Sequence, residues 1–126
     1  MLETKPRPVF LNLMKIRLPI AGIMSIIHRV TGVVMVISIP VAIYLFGLSL
    51  SSASGFADAR EFLQMGLVQL LIFLFLWGLM HHLLAGIRYL LIDIDIGVDK
   101  PVFRQTAWAV MVAAPVLALI LMGGLS

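Results

Sequence analysis

Three long apolar stretches dominate this chain. They cover roughly residues 30–50, 68–90 and 107–125 of a 126-residue sequence that is 62% hydrophobic. Each approaches or exceeds the ~20 apolar residues that an α-helix needs to cross a bilayer. The first stretch is too long for a cleavable signal peptide, and no A-x-A cleavage site closes it. The sequence therefore predicts an all-α membrane protein with a single domain over residues 1–126.

The stretches and their flanks define the expected elements. We predict transmembrane helices at about residues 22–50, 62–91 and 105–125, after an N-terminal arm over residues 1–18. The serine-rich segment 49–55 is expected to form a loop, and the charged residues 58–61 suit a short amphipathic lead-in to the second helix. The polar segments are too short to form a catalytic domain. We therefore expect any chemistry to be shared with a cofactor or with partner subunits.

The positive charges predict an orientation in the membrane. Of the nine Lys and Arg residues, five precede or begin the first helix, three flank the second loop, and only Arg60 lies in the first loop. The positive-inside rule then places the N-terminus in the cytoplasm and the C-terminus in the periplasm. An anionic leaflet accounts for the net charge of +3 without any nucleic acid. The absence of cysteine excludes disulfides and cysteine ligation of an iron–sulfur cluster by this chain.

His82 is the residue that most strongly indicates a function. An ionisable side chain within a transmembrane segment is expensive and usually functional, and neutral imidazole is the commonest metal ligand. Gly78 and Gly86 share its helix face, which favours a flat slot for a planar ligand such as b-type haem. The two glycines are also consistent with close helix packing alone. His81 projects about 100° away from His82, so one haem cannot use both.

A polar cluster begins the first predicted helix. Ser25, His28 and Arg29 are three or four residues apart or adjacent, so one helix face can present them together. If the first two helices are neighbours, this cluster lies at a depth similar to that of His82. Haem propionates need cations, and a quinone needs a few donors to its carbonyls. Taken alone, Arg29 also suits a snorkelling interface residue, and Ser25 a helix-packing residue.

Three segments resemble the cytochrome b556 subunit family of succinate dehydrogenase. The string RPVFLNL at residues 7–13 resembles the family's RP-x-x-L-x-L entry segment. Residues 17–32, RLPIAGIMSIIHRVTG, resemble its P-x-x-x-x-x-SI-x-HR-x-(S/T)G signature, and residues 82–93, HLLAGIRYLLID, resemble its haem segment. The order and spacing agree over nearly the whole chain. One departure is Tyr89, which stands where several relatives have histidine.

The resemblance implies a membrane anchor that forms half of a two-subunit helical bundle in the bacterial inner membrane. It implies that His82 is an axial ligand of haem b, with the other ligand supplied by a second membrane-anchor subunit. His28 and Arg29 would approach the haem propionates, while Ser25 and Arg29 would line the ubiquinone site. Electrons from succinate would arrive through a flavoprotein subunit and an iron–sulfur subunit, so this chain would not be an enzyme by itself.

Two other classes of function remain open at this point. One is a haem-free structural anchor of a fumarate reductase-type complex, which would tolerate replacement of His82. The other is a small transporter or channel subunit that uses Arg29 and His82 as an ion relay. The sequence disfavours the relay, because no acidic residue lies deep in any predicted helix to partner them.

Overall fold

The computed structural model describes residues 16–125, and within that range it consists of helices joined by short connections. Three helices are long and apolar enough to span a membrane. The predicted all-α class with three spanning helices is therefore confirmed, with one further, short helix between the first two. The predicted N-terminal arm lies almost entirely outside the described residues. The helices are α1 (Ile20–Ser51), α2 (Ala53–Gln64), α3 (Gly66–Asp93) and α4 (Lys100–Leu125).

The predicted serine-rich loop is wrong, because the chain reverses within one residue. The hydroxyls of Ser49 and Ser51 donate to carbonyl oxygens three residues earlier, at 2.7 Å each, and remain compatible with helix. Only Ser52 is extended, and its side chain accepts from the backbone N–H of Gly55 at 2.9 Å as the N-cap of α2. A Cβ at Gly55 would collide with the carbonyl oxygen of Leu48. Glycine at this position therefore lets α1 and α2 approach closely.

The second predicted helix is two elements. Met65, with a ψ of 133°, ends α2, and α3 begins at the next residue. The expected lead-in with its charged residues is therefore a separate helix. After α3, a tight turn places Asp95 and Gly97 at φ of 62° and 78°. Helix α4 then begins five residues before the predicted start, since Pro101 is tolerated in a first helical turn.

The chain buries little of its own surface. Of the 32 residues of α1, all described, only Met24 is buried. It packs with Ala85 of α3 and with α4, where small residues let the helix backbones approach. Large apolar side chains along all three spanning helices remain exposed. These outer faces must contact lipid or partner subunits, so the interior serves mainly to fix the relative positions of α1, α3 and α4. The buried face of α4 consists of Ala107, Val110, Ala114 and Ala118.

Candidate functional site

The His82 imidazole is held by the backbone of α1. Its Nδ1 lies 3.0 Å from the carbonyl oxygen of His28 and 3.3 Å from Oγ1 of Thr31. A carbonyl oxygen only accepts, so Nδ1 carries the proton in the neutral ring and donates it to His28. Nε2 has no hydrogen-bond partner within residues 16–125, and it is not among the buried polar atoms that lack one. One ring nitrogen is therefore committed to α1, and the other keeps a lone pair for a ligand.

His28 and Gly32 explain how α1 approaches this ring so closely. The rings of His28 and His82 stack with their centroids 4.0 Å apart and their planes at 11°. A Cβ at Gly32 would lie 3.0 Å from Cε1 of His82. Residue 32 lies one turn after residue 28 on the same helix face, so a side chain there would obstruct the carbonyl that His82 reaches. Gly32 leaves that carbonyl open, and His28 covers a face of the ring.

The glycine slot predicted on α3 is not open within this chain. A Cβ at Gly78 would lie 3.3 Å from Cγ2 of Thr31, and one at Gly86 would lie 3.7 Å from Nε2 of His28. Side chains of α1 therefore fill the space beside both glycines. Within this chain both glycines fit the alternative of close helix packing, and the slot for a planar ligand stays a prediction.

His81 has a different environment from its neighbour. Its side chain is 2% exposed, and Nε2 lies 3.4 Å from the carbonyl oxygen of Met24. The angle of about 100° between successive helical residues turns it towards the buried contact with α1, while His82 stays half-buried. His81 is thus enclosed, with Nε2 directed at α1, whereas His82 is half-buried and its Nε2 has no partner among the described residues.

Ser25 and Arg29 lie on α1 but do not converge on His82. Ser25 is half-buried, Arg29 is exposed, and neither has a hydrogen-bond or ion-pair partner in the described part of the chain. His28 faces α3, so the adjacent Arg29 projects about 100° away from it. The predicted cluster therefore divides: His28 joins His82, whereas Ser25 and Arg29 remain available to groups outside this chain.

Arg88 is one of the three basic residues expected to flank the second loop, and it is buried. It is 5% exposed, and it donates from Nε to Oγ1 of Thr106 at 3.0 Å and from Nη2 to the carbonyl oxygen of Phe103 at 2.8 Å. The guanidinium also lies 4.3 Å from the centre of the Phe103 ring. Nη1 of Arg88 and the hydroxyl of Tyr89 are buried and have no hydrogen-bond partner among residues 16–125. Tyr89 meets His28 edge-on, with ring centroids 5.2 Å apart.

Sequence reasoning missed the supporting residues Thr31, Gly32 and Thr106. For the first two a signal exists, because both lie three or four residues after His28 and so share its helix face. Thr31 and Gly32 share a face with His28 in the same way that Gly78 and Gly86 share one with His82. Nothing local marks Thr106, since its role depends on the packing of α4 against α3. Within the described residues, no group of three His, Cys, Asp or Glu side chains is arranged to hold a metal ion by itself.

Comparison with known proteins shows the family of this chain. The protein family described as "Succinate dehydrogenase/Fumarate reductase transmembrane subunit" matches residues 3–121. The succinate dehydrogenase cytochrome b556 subunit of Coxiella burnetii is 34% identical over 118 residues, which are 93% of this chain and 94% of that one. The subunit of the same name from Paracoccus denitrificans is 31% identical over 114 residues, 90% of this chain and 88% of its own. This chain belongs to the succinate dehydrogenase/fumarate reductase transmembrane subunit family.

Proposed function

We propose that this chain binds haem b through His82 and helps to form the ubiquinone site of a succinate dehydrogenase, as one of two membrane-anchor subunits. Family membership and the relatives' names support a membrane subunit of such a complex. Haem b, when bound, supplies a one-electron redox centre. Succinate oxidation belongs to the flavoprotein and iron–sulfur subunits, because three spanning helices leave no room for that chemistry here.

The hydrogen bond from His82 Nδ1 to the His28 carbonyl oxygen carries this proposal. A histidine that ligates a metal typically donates its other ring N–H to a carbonyl or carboxylate, which sets the tautomer and the ring orientation. His82 has this arrangement at 3.0 Å, with Nε2 left free. His81 also reaches a carbonyl oxygen, at 3.4 Å, but its side chain is 2% exposed and leaves no access for a haem. We therefore assign one axial ligand to His82 and the second to the other membrane-anchor subunit.

Two buried donors, unpaired among residues 16–125, lie on adjacent residues of α3, and the ring of one of them, Tyr89, meets His28. The buried Tyr89 hydroxyl and Arg88 Nη1 lack acceptors within the described residues. A buried donor without a partner costs roughly 1–3 kcal/mol, so an acceptor supplied by a bound group would offset this cost. We assign the propionate contacts to His28 and Arg29, with the Tyr89 hydroxyl as a further donor beside His28.

Ser25 and Arg29 suit the quinone. The hydroxyl and the guanidinium are the unpartnered polar groups at this end of α1, and exposed apolar side chains such as Ile26 and Val30 lie beside them. Such a surface offers hydrogen-bond donors for a quinone carbonyl and apolar side chains that can contact the quinone's tail. The iron–sulfur subunit would complete the site from the cytoplasmic side. We therefore propose that the chain spans a bacterial inner membrane with its N-terminus in the cytoplasm and its C-terminus in the periplasm.

The test is a dithionite-reduced minus oxidised optical spectrum of the purified membrane complex, with His82→Gln beside His81→Gln. The wild type and His81→Gln are expected to show a b-type α-band, and His82→Gln is expected to lose it. The two substitutions are identical and adjacent, so they separate ligation from packing. Co-purification of the other subunits verifies assembly in each case.

A band that survives in His82→Gln but disappears in His81→Gln would assign the ligand to His81. An assembled wild-type complex without any haem band would refute haem binding. The chain would then be the haem-free anchor of a fumarate reductase-type complex.

A further inference from the structure

A groove separate from the histidine site lies between the starts of α1 and α4. Its volume is about 340 Å³. Its lining includes none of the residues assigned to the haem or the quinone, so neither of those proposals uses it. The lining combines one arginine with apolar and aromatic side chains: Pro19, Ile20, Ala21, Phe103, Arg104 and Trp108.

The positive charge in this groove belongs to Arg104. Arg104 is exposed and has no hydrogen-bond or ion-pair partner within residues 16–125. Lys100 lies one turn before it and Trp108 one turn after it, so the three share a face of α4. Trp108 is 51% exposed. The face therefore runs from cationic to apolar as α4 enters the membrane.

The length of α4 places these residues at the depth of lipid headgroups. Its 26 residues span about 39 Å at 1.5 Å per residue, whereas the hydrocarbon core is about 30 Å thick. About 9 Å must lie outside the hydrocarbon. Residues 119–124 carry no charge, so the excess belongs to the charged start of the helix. Trp108 then lies at the membrane–water interface, where tryptophan is enriched.

We propose that this groove binds an anionic phospholipid. Its phosphate would lie against Arg104 with support from Lys100, and its acyl chains would follow Trp108 and Ile20 into the bilayer. Basic pockets between transmembrane helices are recognised sites for anionic headgroups. A zwitterionic lipid offers the same chains without the net charge, so the site favours the anionic one.

The proposal is tested by native mass spectrometry of the delipidated complex, titrated with phosphatidylglycerol or phosphatidylcholine. Wild type is expected to bind phosphatidylglycerol more tightly, and Arg104→Gln to lose about fivefold in that affinity, since each Lys or Arg near a membrane surface contributes a comparable factor. The matched control is Arg60→Gln on α2, at the opposite end of the bundle, which is expected to bind like the wild type. An unchanged haem spectrum verifies that both variants are intact.

Equal affinity of wild type and Arg104→Gln for phosphatidylglycerol would overturn the proposal, as would equal affinity of the wild type for both lipids. A photo-cross-linking amino acid at position 108 provides a second measurement in native membranes. Capture of a phospholipid there supports the proposal. Capture of another subunit of the complex would show that a protein covers the groove, and would overturn it.

Discussion

Alanine at Gly32 adds one methyl group where α1 approaches the His82 ring most closely. The new Cβ would lie 3.0 Å from Cε1 and 3.5 Å from Nδ1. Carbon atoms pack favourably at about 3.5–4.0 Å, so the ring or the helix must retreat by about 0.5 Å. The ring has little freedom to do so. His28 stacks on it with centroids 4.0 Å apart, and its Nδ1 is hydrogen-bonded to α1 itself.

The magnitude follows from two opposing effects. Overpacking of a close contact costs about 1–3 kcal/mol, whereas alanine is favoured over glycine within a helix by about 1 kcal/mol. Gly47 provides the control, because it lies in the same helix and a Cβ there would meet nothing within 4 Å. Gly47→Ala therefore contains only the helix effect. The difference between the two variants isolates the contact with His82, and we expect it to be about 1–3 kcal/mol.

The assay is thermal loss of the haem absorbance band in the purified complex, together with haem content per complex. Gly32→Ala should lose the band at a lower temperature than Gly47→Ala and should hold less haem. If both variants retain haem equally and lose it at the same temperature, the close approach of α1 to His82 is not a feature of the folded protein.

Three further substitutions test the quinone residues and the turn. Arg29→Lys keeps the charge but loses the planar, two-pronged guanidinium. Turnover with quinone should therefore fall at least several-fold, while succinate oxidation by a soluble dye is retained. Normal turnover with quinone would contradict a role of Arg29 in the quinone site. Ser25→Ala should likewise slow quinone reduction alone, and equal losses in both assays would indicate misassembly instead. Gly97→Ala places a side chain at a φ of 78°, which costs about 1–2 kcal/mol, so the complex should unfold at a lower temperature than with Gly66→Ala, where a Cβ meets nothing within 4 Å. Equal unfolding temperatures for these two glycine variants would show that the backbone angle at residue 97 does not strain an alanine there.

The helices could be predicted because hydropathy and length are local properties. The residues at which the helices begin and end were harder to predict. The serine-rich segment reads as a loop, yet Ser49 and Ser51 satisfy their hydroxyls within the helix, and only Ser52 departs from it. Met65 breaks the second predicted helix, and Gly66 directly after it is a weak mark of the break. In each case a backbone angle at one residue decides the boundary, and such angles respond to how neighbouring helices pack.

For the site, too, local features could be predicted from the sequence and contacts between helices could not. Sequence alone determined that His82 shares a face with Gly78 and Gly86 and that His81 points elsewhere, since both follow from the angle between helical residues. It could not determine what lies against that face. Tertiary structure placed His28 and Thr31 there, connected His82 to a carbonyl of α1, and buried Arg88 against α4. A helix face is set by about four neighbouring residues, whereas the group opposite it comes from another helix, 54 positions away for His82 and His28 and 18 for Arg88 and Thr106.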